Sequence, residues 1–330
     1  MDRELLNDSS ALIRKVSYAG RKEVENMLLR ELTDEEIKYY LEQNKRALEK
    51  LKALKELYPI VTDEKADYVY FSKDIIYYQC WKYLKPLLEK KNINYSFIHN
   101  TKDLWVRDFM PIQIYDGKYI QFVFNPDYLQ DTKEYMTNPE DCTKNLDCKI
   151  INCDIILDGG NVIKCDDCVI VTDKVVKDNS VYSPFKLKRK LERFFETEVI
   201  IIPWDENEEC GHADGMLRYI GNNRILLNHY LDFDVALRNR IIDSLNGRFE
   251  IEELYFHTDK HLSTSWAYLN YLQVGNVLFV PVFKNKLDNV ALKQLEDVTG
   301  KEVYPVFSKS TVKIGGGLNC LSWTVKKDFF

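Results

Sequence analysis

Five short segments that carry reactive or glycine-rich residues recur along this chain at a regular interval. They are Trp105-Val-Arg-Asp108, Asp158-Gly-Gly160, Gly211-His-Ala-Asp214, Ser263-Thr-Ser-Trp266 and Gly315-Gly-Gly-Leu-Asn-Cys320. Each of the first four precedes a hairpin-turn signal, and these turns are roughly 50 to 55 residues apart, a period that predicts a repeated structural unit. If each unit is one blade of a closed ring, the five segments meet at one end of it. A thiol, an imidazole and carboxylates would then share one reaction centre.

The thiol and the imidazole form a nucleophile and base pair in this arrangement. Cys320 follows Gly315-Gly-Gly317, and a glycine run lets the backbone bend sharply and approach a ligand closely. His212 is the candidate general acid or base, because a neighbouring imidazolium makes a thiolate competent near neutral pH. Asp158 is predicted to bond the far ring nitrogen and to fix its tautomer.

The remaining carboxylates, Asp108 and Asp214, are predicted to hold the substrate. His212 and Asp214 are two residues apart, so on an extended segment both side chains would face one pocket. Two carboxylates in a closed pocket repel each other unless a cation compensates them. A planar guanidinium with forked N–H pairs satisfies them best. Arg107 is expected to point away from the pocket into a structural ion pair.

A metal site is the main chemical rival, and the sequence argues against it. None of the other histidines, which are His99, His229, His257 and His261, lies in a reactive segment. Cys165 and Cys168 form the one CxxC pair, whereas a four-thiolate zinc site needs two such pairs. They are interpreted as small residues that flank a hairpin turn. We therefore expect no metal and no cofactor.

Composition bounds the class of protein. The chain has 330 residues, 45% of them hydrophobic and 30% charged, with a net charge of −6. The acidic balance disfavours nucleic acid and mildly favours a cationic ligand. The N-terminus lacks the apolar region of a signal peptide, and the apolar runs are too short to cross a bilayer. A cytoplasmic protein with reduced thiols is predicted, with no membrane partner; a homodimer is left open.

Two regions are predicted along the chain. Residues 1–62 read as a helical extension, with a capping box at Thr33-Asp-Glu-Glu36 and apolar residues at helical spacing after it. Residues 63–330 alternate strands and helices in repeated units of hairpin, helix, buried strand and reactive loop. Residues 125–148 interrupt the second unit and are predicted to form a loop-rich insertion near the site. The last unit lacks strands, which the segment 68–71 could supply to close the ring.

These motifs resemble the agmatine deiminase and bacterial peptidylarginine deiminase family of guanidino-group-modifying enzymes. The resemblance rests on Thr101 to Asp108, Leu157 to Asn161, Gly211 to Asp214, Tyr268 to Tyr271 and Gly315 to Cys320, in this order. It implies a five-bladed pseudo-symmetric α/β propeller of ββαβ units, in agreement with the period above.

The resemblance also implies site roles. Cys320 corresponds to the nucleophile, His212 to the acid/base, and Asp108 and Asp214 to the carboxylates that bind the guanidinium. Asp158 stands where the family usually has Glu. Trp105 and Asn270, in two of the motifs, are predicted to contact the substrate. Asn319 stands where agmatine deiminases usually have His, and the segment after Phe124 also differs, so the guanidino compound itself stays open.

The implied reaction is hydrolytic deimination of agmatine, arginine or a related guanidino compound through a covalent thiouronium on Cys320. Two alternatives stay open at this point. An amidinotransferase would use the same residues with an amine in place of water. A non-catalytic guanidine-binding protein would need the carboxylates but not the thiol.

Overall fold

The computed structural model describes residues 60–327, apart from residues 116, 145, 147, 209 and 259–261. Most of the predicted helical extension, 1–62, lies outside the described residues, and its boundary stays a prediction. Its last three residues, Ile60, Val61 and Thr62, are buried. The Val61 N–H donates to the carbonyl of Ile114 at 2.8 Å, so the chain enters the described fold along a strand of the second sheet.

Five three-stranded sheets make up the fold of the described residues. Their strands are β1 Tyr68–Ser72, β2 Asn94–Ile98, β3 Ile112–Tyr115, β4 Lys118–Val123, β5 Lys149–Ile156, β6 Ile163–Lys164, β7 Cys168–Thr172, β8 Glu198–Ile202, β9 Leu217–Gly221, β10 Arg224–Leu227, β11 Glu250–Glu253, β12 Leu272–Val274, β13 Val277–Val282, β14 Glu302–Phe307 and β15 Ser322–Val325.

Every sheet has the same topology, which confirms the predicted propeller of ββαβ units. A central strand pairs antiparallel with one neighbour, as β4 does with β3, and parallel with the other, as β4 does with β5. In the first sheet, β1 pairs antiparallel with β15, from Tyr68 opposite Val325 to Phe71 opposite Ser322. The predicted contribution of segment 68–71 to the last unit is therefore confirmed, and the sheet joins the two ends of the ring.

Helices connect the strands and cover the sheets. The α-helices are Gln79–Lys90, Val106–Phe109, Pro139–Thr143, Lys174–Asp178, Pro184–Phe195, Tyr230–Phe233, Val235–Ser244, Trp266–Leu269, Lys286–Thr299 and Lys309–Val312. Leu187, Leu191 and Phe195 on one helix are fully buried against Val169 and Val199 of the third sheet. Burying such a side chain contributes about 1.5–3 kcal/mol.

Two helix starts differ from the sequence prediction. A helix was predicted over 75–90, but residues Lys73–Tyr77 form a 3₁₀ helix, and the α-helix begins at Gln79. The Ser72 side chain accepts from the Asp74 N–H, and Tyr78 is extended, so the chain turns there before the α-helix starts. The helix predicted from Asp288 begins at Lys286, because Asn285 is the N-cap and Asp288 completes a capping box.

The irregular second unit is confirmed. Between β4 and β5 the described residues form only 3₁₀ turns, Asp127–Leu129 and Lys133–Tyr135, and the short helix Pro139–Thr143. The Asn138 side chain caps that helix, and Pro139 occupies its first turn. Residues 125–148 thus insert an irregular segment into the second unit, and we refer to it below as the insertion.

Candidate active site

The reactive segments lie immediately before the first strand of a hairpin in successive units. Asp108 is in the helix before β3, and Asp158 precedes the 3₁₀ turn before β6. His212 caps the 3₁₀ turn before β9, and Asn270 ends the helix before β12. Cys320 directly precedes β15 by one residue. Equivalent positions in a pseudo-symmetric ring share one end of it, as the spacing predicted.

A cavity of about 460 Å³ opens at this end, within the size range of small-molecule sites. Six of the seven predicted site residues line it: Trp105, Asp108, His212, Asp214, Asn270 and Cys320. The seventh, Asp158, lies behind the imidazole. Its Oδ2 is 3.0 Å from His212 Nε2.

The imidazole of His212 lies between two carboxylates. Besides the contact of Nε2 with Asp158, its Nδ1 is 3.7 Å from Asp108 Oδ1. Burial lowers the pKa of His212, but Asp108, the hydrogen bond to Asp158 and the charge of Asp214 outweigh burial and raise this pKa to about 9. The ring is therefore an imidazolium near neutral pH and can donate a proton to a leaving group.

The local reason given for pairing His212 with Asp214 is wrong, although both side chains line the cavity. The segment is not extended, because Ala213–Gly215 forms a 3₁₀ turn that starts after His212. Ala213 is fully buried under this turn. A tight helical turn, rather than the alternation of a strand, brings the two side chains to one cavity.

Asp108 and Asp214 are both buried, with 7% and 2% of their surface exposed. Asp108 Oδ1 accepts the Gly160 N–H at 3.0 Å. Burial raises the pKa of Asp108 to about 7; His212 opposes this rise, and the nearby Asp158 and Asp214 carboxylates add to it. Asp214 Oδ2 accepts the side-chain N–H of Asn319 at 2.6 Å. These carboxylates form an acidic end to the cavity that favours a cationic ligand.

The Cys320 thiol is 7% exposed and faces this acidic end. Its Sγ is 3.3 Å from Asn270 Oδ1 and 3.8 Å from Asp214 Oδ2. Burial, together with the charges of Asp214 and Asp108, raises the pKa of the thiol well above its usual range. In the unliganded site the sulfur is a thiol whose polar neighbours are an amide and a carboxylate.

A network that sequence reasoning missed holds Asp214 from behind. Asn319 donates to Asp214, while its own Oδ1 accepts from Arg107 Nη2 at 3.0 Å. Arg107 also lies 4.0 Å from Asp63, so its predicted structural ion pair is confirmed. Asn319 was noted only as a departure from the agmatine deiminase pattern. Its bonding role depends on tertiary contacts that leave no local pattern in the sequence.

The glycines of the motifs permit close approach. A Cβ on Gly160 would lie 2.6 Å from both Asp108 Oδ1 and His212 Nδ1, and one on Gly316 would lie 2.1 Å from the Trp105 ring. Real Cβ contacts are not this short, so any side chain here would displace the site. Glycine therefore lets the Asp158-Gly-Gly160 segment pack directly against the carboxylate and imidazole.

Gly160→Ala is predicted to lower kcat/KM by about 100-fold or more, because a shift of about 1 Å in a reacting group has that effect. The measurement is steady-state kinetics with the best substrate found below. Gly247→Ala is the control, since nothing lies within 4 Å of its added Cβ. Near-normal kinetics of the Gly160 variant would contradict the packing argument.

Other described features bear on earlier expectations. Cys165 and Cys168 are fully buried at the two sides of the 166–167 turn, as interpreted from sequence. Within the described residues, no group of three or more His, Cys, Asp or Glu side chains could hold a metal ion. None of the described helices has the length and apolar character that a membrane crossing requires.

Comparison with known proteins decides the family. Residues 49–325 match the model of the Porphyromonas-type peptidyl-arginine deiminase family, a span that includes all five motifs. The chain belongs to this family. Membership classes the protein with deiminases, which are hydrolases of C–N bonds. The match begins at residue 49, earlier than the resemblance in the motifs.

Solved structures share the fold of this deiminase-family chain. C. jejuni agmatine deiminase superposes with a TM-score of 0.66 at 20% identity, covering 82% of this chain and 96% of that one. Enterococcus faecalis agmatine deiminase gives 0.65 at 14% identity, with the same coverage. A protein of Mycoplasma mycoides subsp. mycoides named "Putative agmatine deiminase" is 20% identical over 273 residues, which are 68% of this chain and 74% of that protein.

Proposed function

We propose that this protein hydrolyses a small guanidino compound to a ureido product and ammonia. The observation that carries the proposal is the composition of one cavity. It combines the buried carboxylates Asp108 and Asp214 with the thiol of Cys320 and the imidazole of His212. The family and its agmatine deiminase neighbours support the same chemistry.

The two carboxylates serve as the guanidinium-binding groups. Among the described residues, the only cationic side chain in ion-pair contact with Asp108 is His212. A guanidinium would therefore supply charge that the acidic end of the cavity lacks, through forked N–H donors. The Asn270 amide oxygen and the Trp105 ring, which also line the cavity, are placed to contact the bound substrate.

Binding of the cation also prepares the nucleophile. The charges of Asp214 and Asp108 raise the pKa of Cys320 in the free protein. A guanidinium between them offsets these charges, so the thiolate becomes easier to form when the substrate is present. The thiol proton leaves to solvent, and the sulfur adds to the guanidinium carbon. The site thus keeps its nucleophile protonated until the substrate arrives.

The reaction then proceeds in two halves. His212 donates its proton to one nitrogen of the tetrahedral adduct, the C–N bond breaks, and ammonia leaves a thiouronium on Cys320. A water molecule enters, His212 takes its proton, and the hydroxide adds to the same carbon. The C–S bond breaks, which releases the ureido product and restores the thiolate. Asp158 keeps the imidazole oriented through both transfers.

The test is a screen of guanidino compounds, including agmatine, arginine and an arginyl peptide, for release of ammonia with an equal amount of ureido product. Substrate protection of Cys320 against iodoacetamide is followed by mass spectrometry. Equal release of both products supports hydrolysis. Transfer of the amidine to an added amine would replace it with the amidinotransferase reading, and binding without turnover would leave only a guanidine-binding protein.

The pH dependence of kcat/KM is predicted to be bell-shaped. Below about 7, protonation of Asp108 removes a carboxylate that binds the cation, and above about 9 His212 loses the proton it donates. Because kcat/KM reports groups of the free enzyme, its limbs should lie near these two values. The measurement is kcat/KM from roughly pH 6 to pH 10 in buffers of constant ionic strength. A profile that is flat across this range would contradict the assignment.

A further inference from the structure

A tyrosine from the insertion contacts the carboxylate that orients the imidazole. Tyr128 donates its hydroxyl to Asp158 Oδ2 at 2.9 Å. This is the same oxygen that lies 3.0 Å from His212 Nε2. The sequence predicted an insertion near the site but gave Tyr128 no part in it.

The hydroxyl restrains a carboxylate that is otherwise held weakly. Asp158 Oδ1 is buried and has no hydrogen-bond partner among the described residues. Both bonds to this side chain therefore use one oxygen, and rotation about the Cβ–Cγ bond would break the contact with His212. Without Tyr128, such a rotation would be opposed only by the imidazole itself.

The tyrosine remains a donor and also contacts the imidazole. Burial, reinforced by the Asp158 charge, raises the pKa of its hydroxyl well above the usual range. Its ring meets the His212 ring edge-on, with centroids 6.1 Å apart and an interplanar angle of 73°. Tyr128 therefore packs against the imidazole as well as bonding its carboxylate partner.

The preceding residue fixes the position of Tyr128. Asp127 Oδ1 lies 3.1 Å from Lys174 Nζ, and its Oδ2 lies 3.7 Å from Lys177 Nζ. Lys174 is only 4% exposed, so one end of this attachment is buried in the fold. The Gln130 side chain donates to the Pro126 carbonyl at 2.8 Å and braces the same turn.

We propose that Tyr128 is a positioning residue for the deimination reaction: its hydroxyl holds Asp158 against His212, which makes the insertion a functional part of the active site. This inference rests on the proposed function. The role is specific to the hydroxyl, because the ring alone could pack but could not restrain the carboxylate.

Tyr128→Phe is the test. We expect kcat to fall about 10-fold with KM changed less than about twofold, since the substrate-binding groups are untouched. The pKa of His212 should fall toward its ordinary value as Asp158 rotates away, and the alkaline limb of kcat/KM should move down with it. The His212 pKa is measured by NMR titration of full-length protein, with its signal assigned from a His212→Asn variant.

Tyr135→Phe is the matched control, because Tyr135 lies on the same insertion but is 51% exposed. It should leave kcat and the His212 pKa unchanged. The other charged groups that act on His212, which are Asp108, Asp214 and Glu208, are present in both variants.

The outcomes separate this inference from the proposed function. A His212 pKa that is unchanged or higher in Tyr128→Phe overturns the positioning role, and so does an unchanged kcat in an active enzyme. If the wild-type protein releases no ammonia from any guanidine, the proposed function fails, while the titration still decides whether Tyr128 holds Asp158 in place.

Discussion

Cys320→Ser is expected to reduce turnover of the guanidino substrate by at least about 10⁴-fold, because a serine hydroxyl is far less acidic than a thiol and no group nearby can deprotonate it. The Sγ lies 3.3 Å from an amide oxygen and 3.8 Å from Asp214, so the smaller hydroxyl fits the same space. The carboxylates remain, and substrate affinity should stay within about threefold of the wild-type value. Stopped-time product assays and calorimetric titration measure the two quantities.

The control for this variant is Cys148→Ser, which removes a half-buried thiol that does not line the cavity. It should retain wild-type turnover. The wild type should also form a covalent adduct whose added mass maps to Cys320 after rapid quenching. Comparable turnover by Cys320→Ser would remove the nucleophile from the proposed mechanism.

Asp214→Asn is the second substitution with a large expected effect. It leaves a side chain of the same shape but removes a charge that is 2% exposed and faces the thiol. Loss of one partner in a buried ion pair costs about 2–5 kcal/mol, so affinity for a guanidino substrate should fall by at least about 30-fold. The clean measurement is calorimetric binding to Cys320→Ser with and without Asp214→Asn, because neither protein should consume the ligand.

Glu206→Gln makes the same change in net charge on the same loop, but Glu206 is exposed and does not line the cavity. Its affinity should match that of the parent within about twofold, because exposed charges contribute little. If Asp214→Asn binds as tightly as this control, the guanidinium does not contact Asp214, and the proposed binding mode is wrong.

The sequence by itself determined the architecture, because a repeated fold writes its period into the chain. Turn pairs such as Asn222-Asn223 recur at the unit length, and both of these residues have positive φ, as a tight hairpin turn requires. Ser183 before Pro184 marked a helix start that the structure confirms. Since symmetry-related loops share one end of a ring, the same period also predicted which side chains would meet.

Tertiary structure alone decided how those side chains bond. The 3₁₀ turn after His212, the support of Asp214 by Asn319 and the bond from Tyr128 to Asp158 join residues that are 30 to 105 positions apart, or turn on local geometry. Hydrogen bonds depend on tenths of an ångström and on direction, and side-chain pairing between distant segments is set by packing. Periodicity fixes which residues reach the cavity, but only the packed chain fixes which atoms touch there.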